Sequence, residues 1–398
     1  MKLLQINVTA NWGSTGKIAE QVGLCAQAHG WESYLAYGRD SNLSQNKLIK
    51  IGSGVDVLEH FAENVIIGNE GLASRNATKK FLKQIENINP DLIHLHNIHG
   101  YYINYKVLFD YLKNEFQGRV FWTLHDCLPM TGHCAYFSNV SCEKWKTECH
   151  DCPNKKMYPT SLIFDRSRKN YQEKKILFNG VKDLTIITPS IWLQNIVASS
   201  YLKNYPVKTI NNGIDLNIFY PRLIESIFDK YNIPKDKKVL LGVASIWEER
   251  KGLDDFLMLS KLIKDDYVIV LVGLNDKQIN KLKQYKNIIG IKRTENQDDL
   301  ASLYSLSYVL INPTYEDNYP TVNIEALASG TRVIAYDTGG CVEQATNPNM
   351  YIVKKTTKNN NVKNIIELLE IMDEHQDFDT SIYSDKLFTK KMLDEYRK

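Results

Sequence analysis

The sequence contains no apolar run of about 18 residues, the length that a membrane-spanning helix needs. Its start, residues 1–8, also lacks the basic, apolar and small-residue order of a signal peptide. Both absences predict a cytoplasmic protein, either free in the cytosol or at the inner face of the membrane. An excess of charge is missing too. The net charge is only +3, which argues against nucleic acid as a partner.

Two familiar nucleotide-binding patterns are incomplete. Residues 13–17, Gly-Ser-Thr-Gly-Lys, are similar to a P-loop, but Asn11 replaces its first glycine and Ile18 follows the lysine. No G-x-G-x-x-G follows the first apolar run, which argues against a dinucleotide-dependent dehydrogenase. Gly13 and Gly16 still allow backbone amides to approach an anion at a helix start. We treat both as candidate ligand contacts, with an ordinary tight turn as the alternative.

The sequence does contain a regular alternation of short apolar runs and amphipathic segments. The runs are rich in β-branched residues and bounded by Gly, Asp, Asn or Pro, as buried parallel strands are. They cover residues 3–8, 92–95, 120–124, 184–188, 239–244, 268–272, 308–311 and 333–335. Helix-period segments, such as 17–29, 253–263 and 298–305, lie between them. This alternation predicts an α/β fold with parallel sheets and right-handed crossovers.

The length of 398 residues suits two domains. We expect two doubly wound, Rossmann-like domains that face each other across a cleft. The first covers residues 1–205 and includes a cysteine-rich loop at 127–160, and the second covers 206–377. Residues 378–398 are expected to form a helix that packs back on the first domain.

Histidines follow two of the predicted strands. His94 and His96 alternate onto one sheet face, where satisfied structural histidines are favoured over a metal site. His125 directly follows the run 120–124, so it stands at the carboxyl end of a strand, where such sheets bind ligands. We expect His125 to be catalytic, by binding a sugar hydroxyl or stabilising developing charge. Loop capping is the alternative.

Five of the seven cysteines lie between Cys127 and Cys152. The last two form a Cys-x2-Cys pair typical of zinc sites, and four thiols could close a tetrahedral, structural site. The predicted zinc ligands are Cys134, Cys142, Cys149 and Cys152. Cys127, His133 and His150 are substitute ligands, and two disulfides or free thiols are the alternatives.

A basic stretch follows the cysteines. Between Lys155 and Lys175 there are seven basic and two acidic residues, with aromatic residues among them and nearby. A solvated face is the usual interpretation of such a run. The alternative is peripheral contact with anionic lipid, or with a phosphate-bearing acceptor.

Several stretches together resemble family 4 of the GT-B glycosyltransferases, in its bacterial capsular and exopolysaccharide branch. One is NNGID at 211–215, with Phe219 and Pro221, and another is GVASIWEERKG at 242–252. The most specific is NPTYEDNYP at 312–320, which runs on through EALASG at 325–330 to Gly339-Gly340. TLHD at 123–126 and Pro189-Ser190 with Trp192 extend the resemblance over nearly the whole chain.

The residues themselves suit a nucleotide-sugar donor, whose diphosphate gains negative charge as it leaves. Arg250 and Lys251 stand at a strand-to-helix turn, where fixed cations and a helix N-terminus stabilise that charge. Glu325 can accept hydrogen bonds from both ribose hydroxyls. Asp317, eight positions earlier, stands where the family has a glutamate, so Glu316 is its rival for the sugar. The family's arginine position is held here by Ile246, so either Arg250 replaces that arginine or one cation is absent.

These arguments name two sets of candidate residues. The catalytic candidates are Arg250, Lys251, His125 and Asp317. The donor-binding candidates are Glu325, Glu316, Asn318, Tyr319, Pro320, Thr321, Ser245, Gly13, Gly16 and Asn212, with residues 318–321 supplying backbone amides.

The resemblance implies a retaining hexosyltransferase that requires no cofactor for catalysis, since side-chain cations replace a metal ion. It implies that the first domain takes the acceptor, a glycan or a lipid-linked sugar in surface polysaccharide assembly, and that the second takes the nucleotide-sugar donor. The departures at Ile246 and Asp317 motivate an alternative, a non-catalytic protein that binds nucleotide sugars or glycans on the same fold.

Overall fold

The computed structural model describes residues 1–222 and 224–398, and it divides into two compact units. Unit 1 comprises Met1–Asn211 and Phe388–Lys398, and unit 2 comprises Asn212–Leu387. The break follows Asn211 instead of residue 205 because a short strand at Val207–Thr209 pairs with the sheet of unit 1. Of the chain's final stretch, only Phe388–Lys398 belongs to unit 1.

Unit 1 is a seven-stranded, all-parallel sheet with helices between its strands. Its strands are β1 (Lys2–Asn7), β2 (Glu32–Tyr37), β3 (Lys47–Lys50), β4 (Leu92–Leu95), β5 (Arg119–Thr123), β6 (Leu184–Thr188) and β7 (Val207–Thr209), in the order β3-β2-β1-β4-β5-β6-β7. Its helices are α1 (Gly13–Ala28), α2 (Gly54–Ile67), α3 (Arg75–Ile88), α4 (Tyr105–Asn114), α5 (Ser167–Phe178) and α6 (Ile191–Ala198).

Unit 2 is a six-stranded parallel sheet of the same kind. Its strands are β8 (Lys238–Val243), β9 (Tyr267–Val272), β10 (Ile288–Ile291), β11 (Val309–Asn312), β12 (Arg332–Tyr336) and β13 (Met350–Val353), in the order β10-β9-β8-β11-β12-β13. Its helices are α7 (Ser226–Lys230), α8 (Leu253–Leu259), α9 (Asp276–Leu282), α10 (Gln297–Leu306), α11 (Thr321–Ala328) and α12 (Lys358–Ile371), before the final helix α13 (Asp385–Arg397).

The central strands are buried on both faces, as their β-branched sequences require. Every residue of β9, YVIVLV, is buried, and so is every residue of β4 and β11. The end of α13 is buried in unit 1, where Phe388, Met392 and Tyr396 pack against β1 and β5 residues in one apolar cluster.

All eight apolar runs of the sequence coincide with strands, and the predicted α/β class with two parallel sheets is confirmed. None of the helices described in residues 1–222 and 224–398 is long and apolar enough to cross a bilayer.

Candidate active site

The strand order of unit 2 reverses between β8 and β11. These strands are hydrogen-bonded neighbours, but their next connections run to opposite sides of the sheet. Ligands of doubly wound sheets bind beyond the carboxyl ends of strands at such a reversal. The loops that leave this point are residues 244–252 after β8 and 313–320 after β11. They carry most of the predicted catalytic and donor-binding residues.

A tight approach of the backbone holds these two loops together. Gly252 has φ +73° and lies so close to the second loop that a Cβ would stand 2.3 Å from the carbonyl oxygen of Pro313. Only glycine allows both this conformation and this contact. The Tyr315 amide also donates to the Arg250 carbonyl oxygen at 2.7 Å. The turn Glu249–Lys251 is thereby fixed beside the loop that carries Asp317.

Lys251 and Asp317 form a partly buried ion pair. Lys251 Nζ lies 2.5 Å from Asp317 Oδ2, and both side chains are at least four-fifths buried. Burial alone would raise the pKa of Asp317, but the charge and hydrogen bond of Lys251, with the Arg250 charge, lower it on balance. The carboxylate therefore stays ionised at neutral pH. The pair places one cation and one anion at the strand reversal.

Arg250 is anchored through backbone and side-chain contacts in the same two loops. Its Nε lies 3.1 Å from Glu248 Oε2, and its Nη1 donates to the Glu316 carbonyl oxygen at 3.0 Å. Ile246 is 64% exposed in the first loop, and Ser245 beside it is exposed too. Arg250 thus stands four residues after Ile246 and next to Lys251, with its guanidinium bound in the same two loops.

Glu325 lies on α11, the helix that follows the second loop. Tyr304 Oη donates to Glu325 Oε2 at 2.9 Å, and burial keeps the pKa of Tyr304 well above its usual value. The phenol is therefore a permanent donor that fixes the carboxylate. The Glu316 side chain is buried, whereas the Asp317 carboxylate is the one bound to Lys251.

The prediction that residues 318–321 all supply backbone amides needs correction. The Asn318 amide donates to Asp317 Oδ1 at 2.9 Å, and Pro320 has no N–H. The role therefore falls to the amides of Tyr319, which is buried, and of Thr321, the first residue of α11.

Sequence patterns did not indicate a buried chain of amides beneath this loop, which we call the amide relay. Asn312 Nδ2 donates to Asn323 Oδ1, Asn323 Nδ2 donates to Gln344 Oε1, and Gln344 Nε2 donates to the Pro320 carbonyl oxygen, at 2.8, 2.8 and 3.0 Å. The relay links the end of β11 to the start of α11, so it fixes the loop that carries Asp317. Only its buried geometry reveals it, since Asn and Gln spaced 11 and 21 residues apart form no motif.

Three other candidates lie outside these two loops: Asn212 in unit 2, and Gly13 and Gly16 in unit 1. Asn212 is the first residue of unit 2, and the next residue, Gly213, packs against the backbone of Ser384 and Asp385. In unit 1, Gly13 begins α1 with φ +65°. A Cβ on Gly16 would stand 2.7 Å from Thr9 Oγ1, so the turn after β1 is closely packed.

His94 and His96 of unit 1 belong to a buried hydrogen-bond network. His94 contacts Thr123 Oγ1 at 2.7 Å and Tyr396 Oη at 2.5 Å, and His96 Nε2 contacts Gln5 Oε1 at 3.1 Å. Burial lowers the pKa of His94 to about 3, so the ring is neutral. Both rings therefore have the structural environment that the sequence favoured.

His125 occupies the carboxyl end of β5, beside this network. Its Nε2 lies 3.2 Å from His96 Nδ1, and burial lowers its pKa to about 4. A neutral imidazole can donate or accept a hydrogen bond but carries no charge at neutral pH. His125 could therefore contact a substrate through a hydrogen bond from a neutral ring, but not through a positive charge.

A second pair at the same edge was not predicted. His99 Nε2 lies 2.9 Å from Asp126 Oδ2, and His99 Nδ1 lies 2.8 Å from Tyr158 Oη. Burial lowers the pKa of His99, but the attraction of Asp126 outweighs this and raises it overall. These buried contacts connect the loops after β4 and β5 to Tyr158. Nothing in the sequence indicated the distant partners of His99.

Comparison with known proteins identifies the class. Residues 224–385, most of unit 2, match the family described as glycosyl transferases group 1. WcaC of Escherichia coli (strain K12), named as a colanic acid biosynthesis glycosyl transferase, is 24% identical over 84% of this chain and 83% of its own. An N,N'-diacetylbacillosaminyl-diphospho-undecaprenol alpha-1,3-N-acetylgalactosaminyltransferase of Campylobacter jejuni is 26% identical over 41% of this chain and 44% of its own.

The fold has solved counterparts as well. HepE of Anabaena, in a crystal structure with UDP-glucose, superimposes with a TM-score of 0.64 at 13% identity, over 100% of this chain and 99% of its own. This chain is therefore a glycosyltransferase with the GT-B fold, and its residues 224–385 match the group 1 family. The matches support an enzyme over the alternative of a non-catalytic binding protein.

Proposed function

We propose that this enzyme transfers a hexose from a nucleotide-sugar donor to a lipid-linked or glycan acceptor, with retention of anomeric configuration and without a catalytic metal ion. The observation that carries the proposal is the position of two cations at the strand reversal of unit 2, with Lys251 paired to Asp317 and Arg250 bound to the Glu316 carbonyl oxygen. In the reaction, the bond from the sugar C1 to the β-phosphate oxygen breaks and a bond to the acceptor oxygen forms. The acceptor proton passes to the departing phosphate, so no separate general base is needed.

Each residue has a role that its surroundings support. Lys251 and Arg250 would meet the negative charge that grows on the diphosphate, in the place of a metal ion. Asp317, held ionised by Lys251, would accept hydrogen bonds from sugar hydroxyls. Glu325, fixed by Tyr304, would bind the ribose hydroxyls. The HepE complex with UDP-glucose supports a nucleotide-sugar donor for this fold.

The donor class has a direct test. We expect one nucleotide sugar from a panel to raise the melting temperature of the purified protein, because a ligand of the native state stabilises it by mass action. That sugar should also release its nucleoside diphosphate when an undecaprenyl-diphospho-sugar acceptor is added. NMR of the product should show the donor's anomeric configuration. Inversion would contradict the retaining mechanism, and binding of a donor without transfer to any acceptor would contradict the enzymatic role.

A lipid-linked acceptor is supported by the relative from Campylobacter jejuni, whose name places its substrate on diphospho-undecaprenol. Unit 1 also has an exposed apolar surface, formed by α2 and the loop after the cysteines. The loop is joined to α2, since the Leu162 amide donates to the Val65 carbonyl oxygen and Asn64 Nδ2 donates to that of Thr160. Helix α2 and the loop together expose seven large apolar side chains, which we call the apolar surface. They are Leu58, Phe61, Ile66, Ile67, Leu162, Ile163 and Phe164.

We propose that the apolar surface inserts into the membrane interface. Of the seven basic residues in the stretch 155–175, Lys174 is buried and Arg166 pairs with Glu173. Lys156, Arg168, Lys169 and Lys175 are exposed in the same stretch. Exposed cations near exposed apolar side chains suit an anionic lipid surface.

Membrane binding can be tested by flotation with vesicles. The double variant Ile163→Asp, Phe164→Asp should bind phosphatidylglycerol vesicles about tenfold or more weakly, because two apolar side chains lose their burial in lipid. Ile371→Asp, at an equally exposed apolar residue of α12 in unit 2, is the matched control and should bind as the wild type does. Equal binding by the double variant, or equal binding of wild type to neutral and anionic vesicles, would contradict the proposal.

A further inference from the structure

Four cysteines of unit 1 converge on one small cavity. They belong to the loop between β5 and α5, and the cavity is otherwise walled by polar and aromatic side chains. The sulfurs that line it are those of Cys134, Cys142, Cys149 and Cys152. Residues 18 positions apart in the sequence thus share one site.

The backbone around the Cys-x2-Cys pair is bent in a specific way. Asp151, between the two cysteines, has φ +43°, in the left-handed region that non-glycine residues rarely adopt. Gly132 packs so closely on this site that a Cβ there would stand 2.9 Å from Cys149 Cβ. The loop backbone is therefore already folded tightly around the Cys-x2-Cys pair.

The surroundings of the sulfurs fit a negatively charged centre. Lys174 is buried and donates to the carbonyl oxygens of Leu128 and Thr131 at 3.0 and 3.2 Å, and Thr131 lines the cavity. Lys144 Nζ donates to the carbonyl oxygen of His150 at 3.0 Å. Two cations beside four thiolates would balance the net charge of −2 that a zinc ion with four thiolates carries.

The two histidines nearby are engaged elsewhere. His133 Nε2 lies 3.0 Å from the Lys155 carbonyl oxygen, and His150 Nδ1 lies 3.1 Å from Asp151 Oδ2. The cavity is closed on one side by Phe137 and Trp145, whose rings stack with centroids 4.8 Å apart. The thiols are therefore the ligands that this cavity offers.

We propose that Cys134, Cys142, Cys149 and Cys152 bind one structural zinc ion as thiolates, with release of their four protons. Within residues 1–222 and 224–398, no group of three or more His, Cys, Asp or Glu side chains has the arrangement of a metal site as it stands. Binding must therefore draw the sulfurs together through rotation of cysteine side chains, on a backbone that is already bent. Four protein ligands leave no open position, so the ion takes no part in the transfer.

The first measurement is the metal content of the wild-type chain, purified without chelator. We expect about one zinc per chain and its release when a mercurial reagent titrates the thiols. Chelation followed by addition of Co²⁺ should give the visible absorption of tetrahedral cobalt with its thiolate charge-transfer bands. Absence of zinc together with absence of these bands, or two disulfides in the mass spectrum of the unreduced protein, would overturn the proposal.

Single serine variants test the four ligands. Cys142→Ser and Cys149→Ser should lose the zinc, whereas Cys25→Ser on α1 and Cys127→Ser, which lies outside the cavity lining, should keep it. Zinc retained in full by Cys142→Ser, or lost from Cys127→Ser, would overturn this set of ligands. If a ligand variant fails to fold, the cobalt spectrum of the wild type still decides the proposal.

Discussion

Replacement of Lys251 by alanine is expected to lower kcat/KM about 10²–10³-fold, with most of the loss in kcat. The estimate is the usual cost of removing one preorganised group that stabilises transition-state charge, about 2.7–4 kcal/mol. Lys251 is suited to this role because its side chain is mostly buried and its position is fixed by Asp317. A cation held in place before the reaction needs no reorganisation as the phosphate leaves.

The ion pair complicates the interpretation of this variant. Without Lys251, the buried Asp317 carboxylate loses its main partner and its pKa should rise. A double-mutant cycle with Asp317→Asn separates the two effects. If Lys251 acts only by holding Asp317, the two single variants and the double variant should be equally slow. If Lys251 meets the diphosphate directly, the double variant should be slower than Asp317→Asn alone.

The matched control is Lys277→Ala, which removes an exposed lysine from α9 in the same unit. It should retain wild-type kinetics, and all variants should keep the wild-type circular dichroism spectrum. Lys251→Arg should recover part of the activity, since it restores a cation. Turnover by Lys251→Ala at the wild-type rate would exclude a catalytic role for Lys251.

The strands that could be predicted from the sequence are those that are buried on both faces of their sheet. Central strands such as β9 and β11 carry continuous apolar sequences, and each was located to within a residue or two. Four of the five strands that were not predicted, β3, β7, β10 and β13, are the edges of their sheets. An edge strand packs against fewer neighbours, so its sequence can be short or polar, as in KLIK and VKT.

In the candidate site, too, some residues could be predicted from the sequence and others could not. Lys251, Asp317 and Glu325 lie next to strand ends or helix starts, where local sequence indicates a position at the sheet's carboxyl edge. Their partners could not be predicted, because they depend on tertiary packing. Tyr304 reaches Glu325 from α10, and the amide relay joins residues from three separate elements. The residues that make these contacts have no characteristic spacing in the sequence, so they cannot be told apart there from other polar residues.

The role of Glu325 in binding the donor can be tested by its replacement with alanine. Glu325→Ala should raise the KM for the nucleotide sugar about 10- to 100-fold and change kcat little. Hydrogen bonds to a charged acceptor contribute about 1.5–3 kcal/mol each, and those to ribose are made equally in the ground state and the transition state. The contrast with Lys251→Ala, which should act mainly on kcat, distinguishes a binding group from one that stabilises developing charge.

The control is Tyr304→Phe, which removes the same Tyr–Glu hydrogen bond but leaves the carboxylate in place. Both variants lose the Tyr304–Glu325 hydrogen bond and should therefore be less stable than the wild type. In Glu325→Ala the buried phenol is left without this acceptor, at a cost of about 1–3 kcal/mol. Only Glu325→Ala should lose most of its donor affinity. Calorimetry with the nucleoside diphosphate alone should show the same loss, since the ribose remains after the sugar has gone. Equal affinities in the two variants would mean that Glu325 serves the packing of α10 against α11 and does not bind the donor.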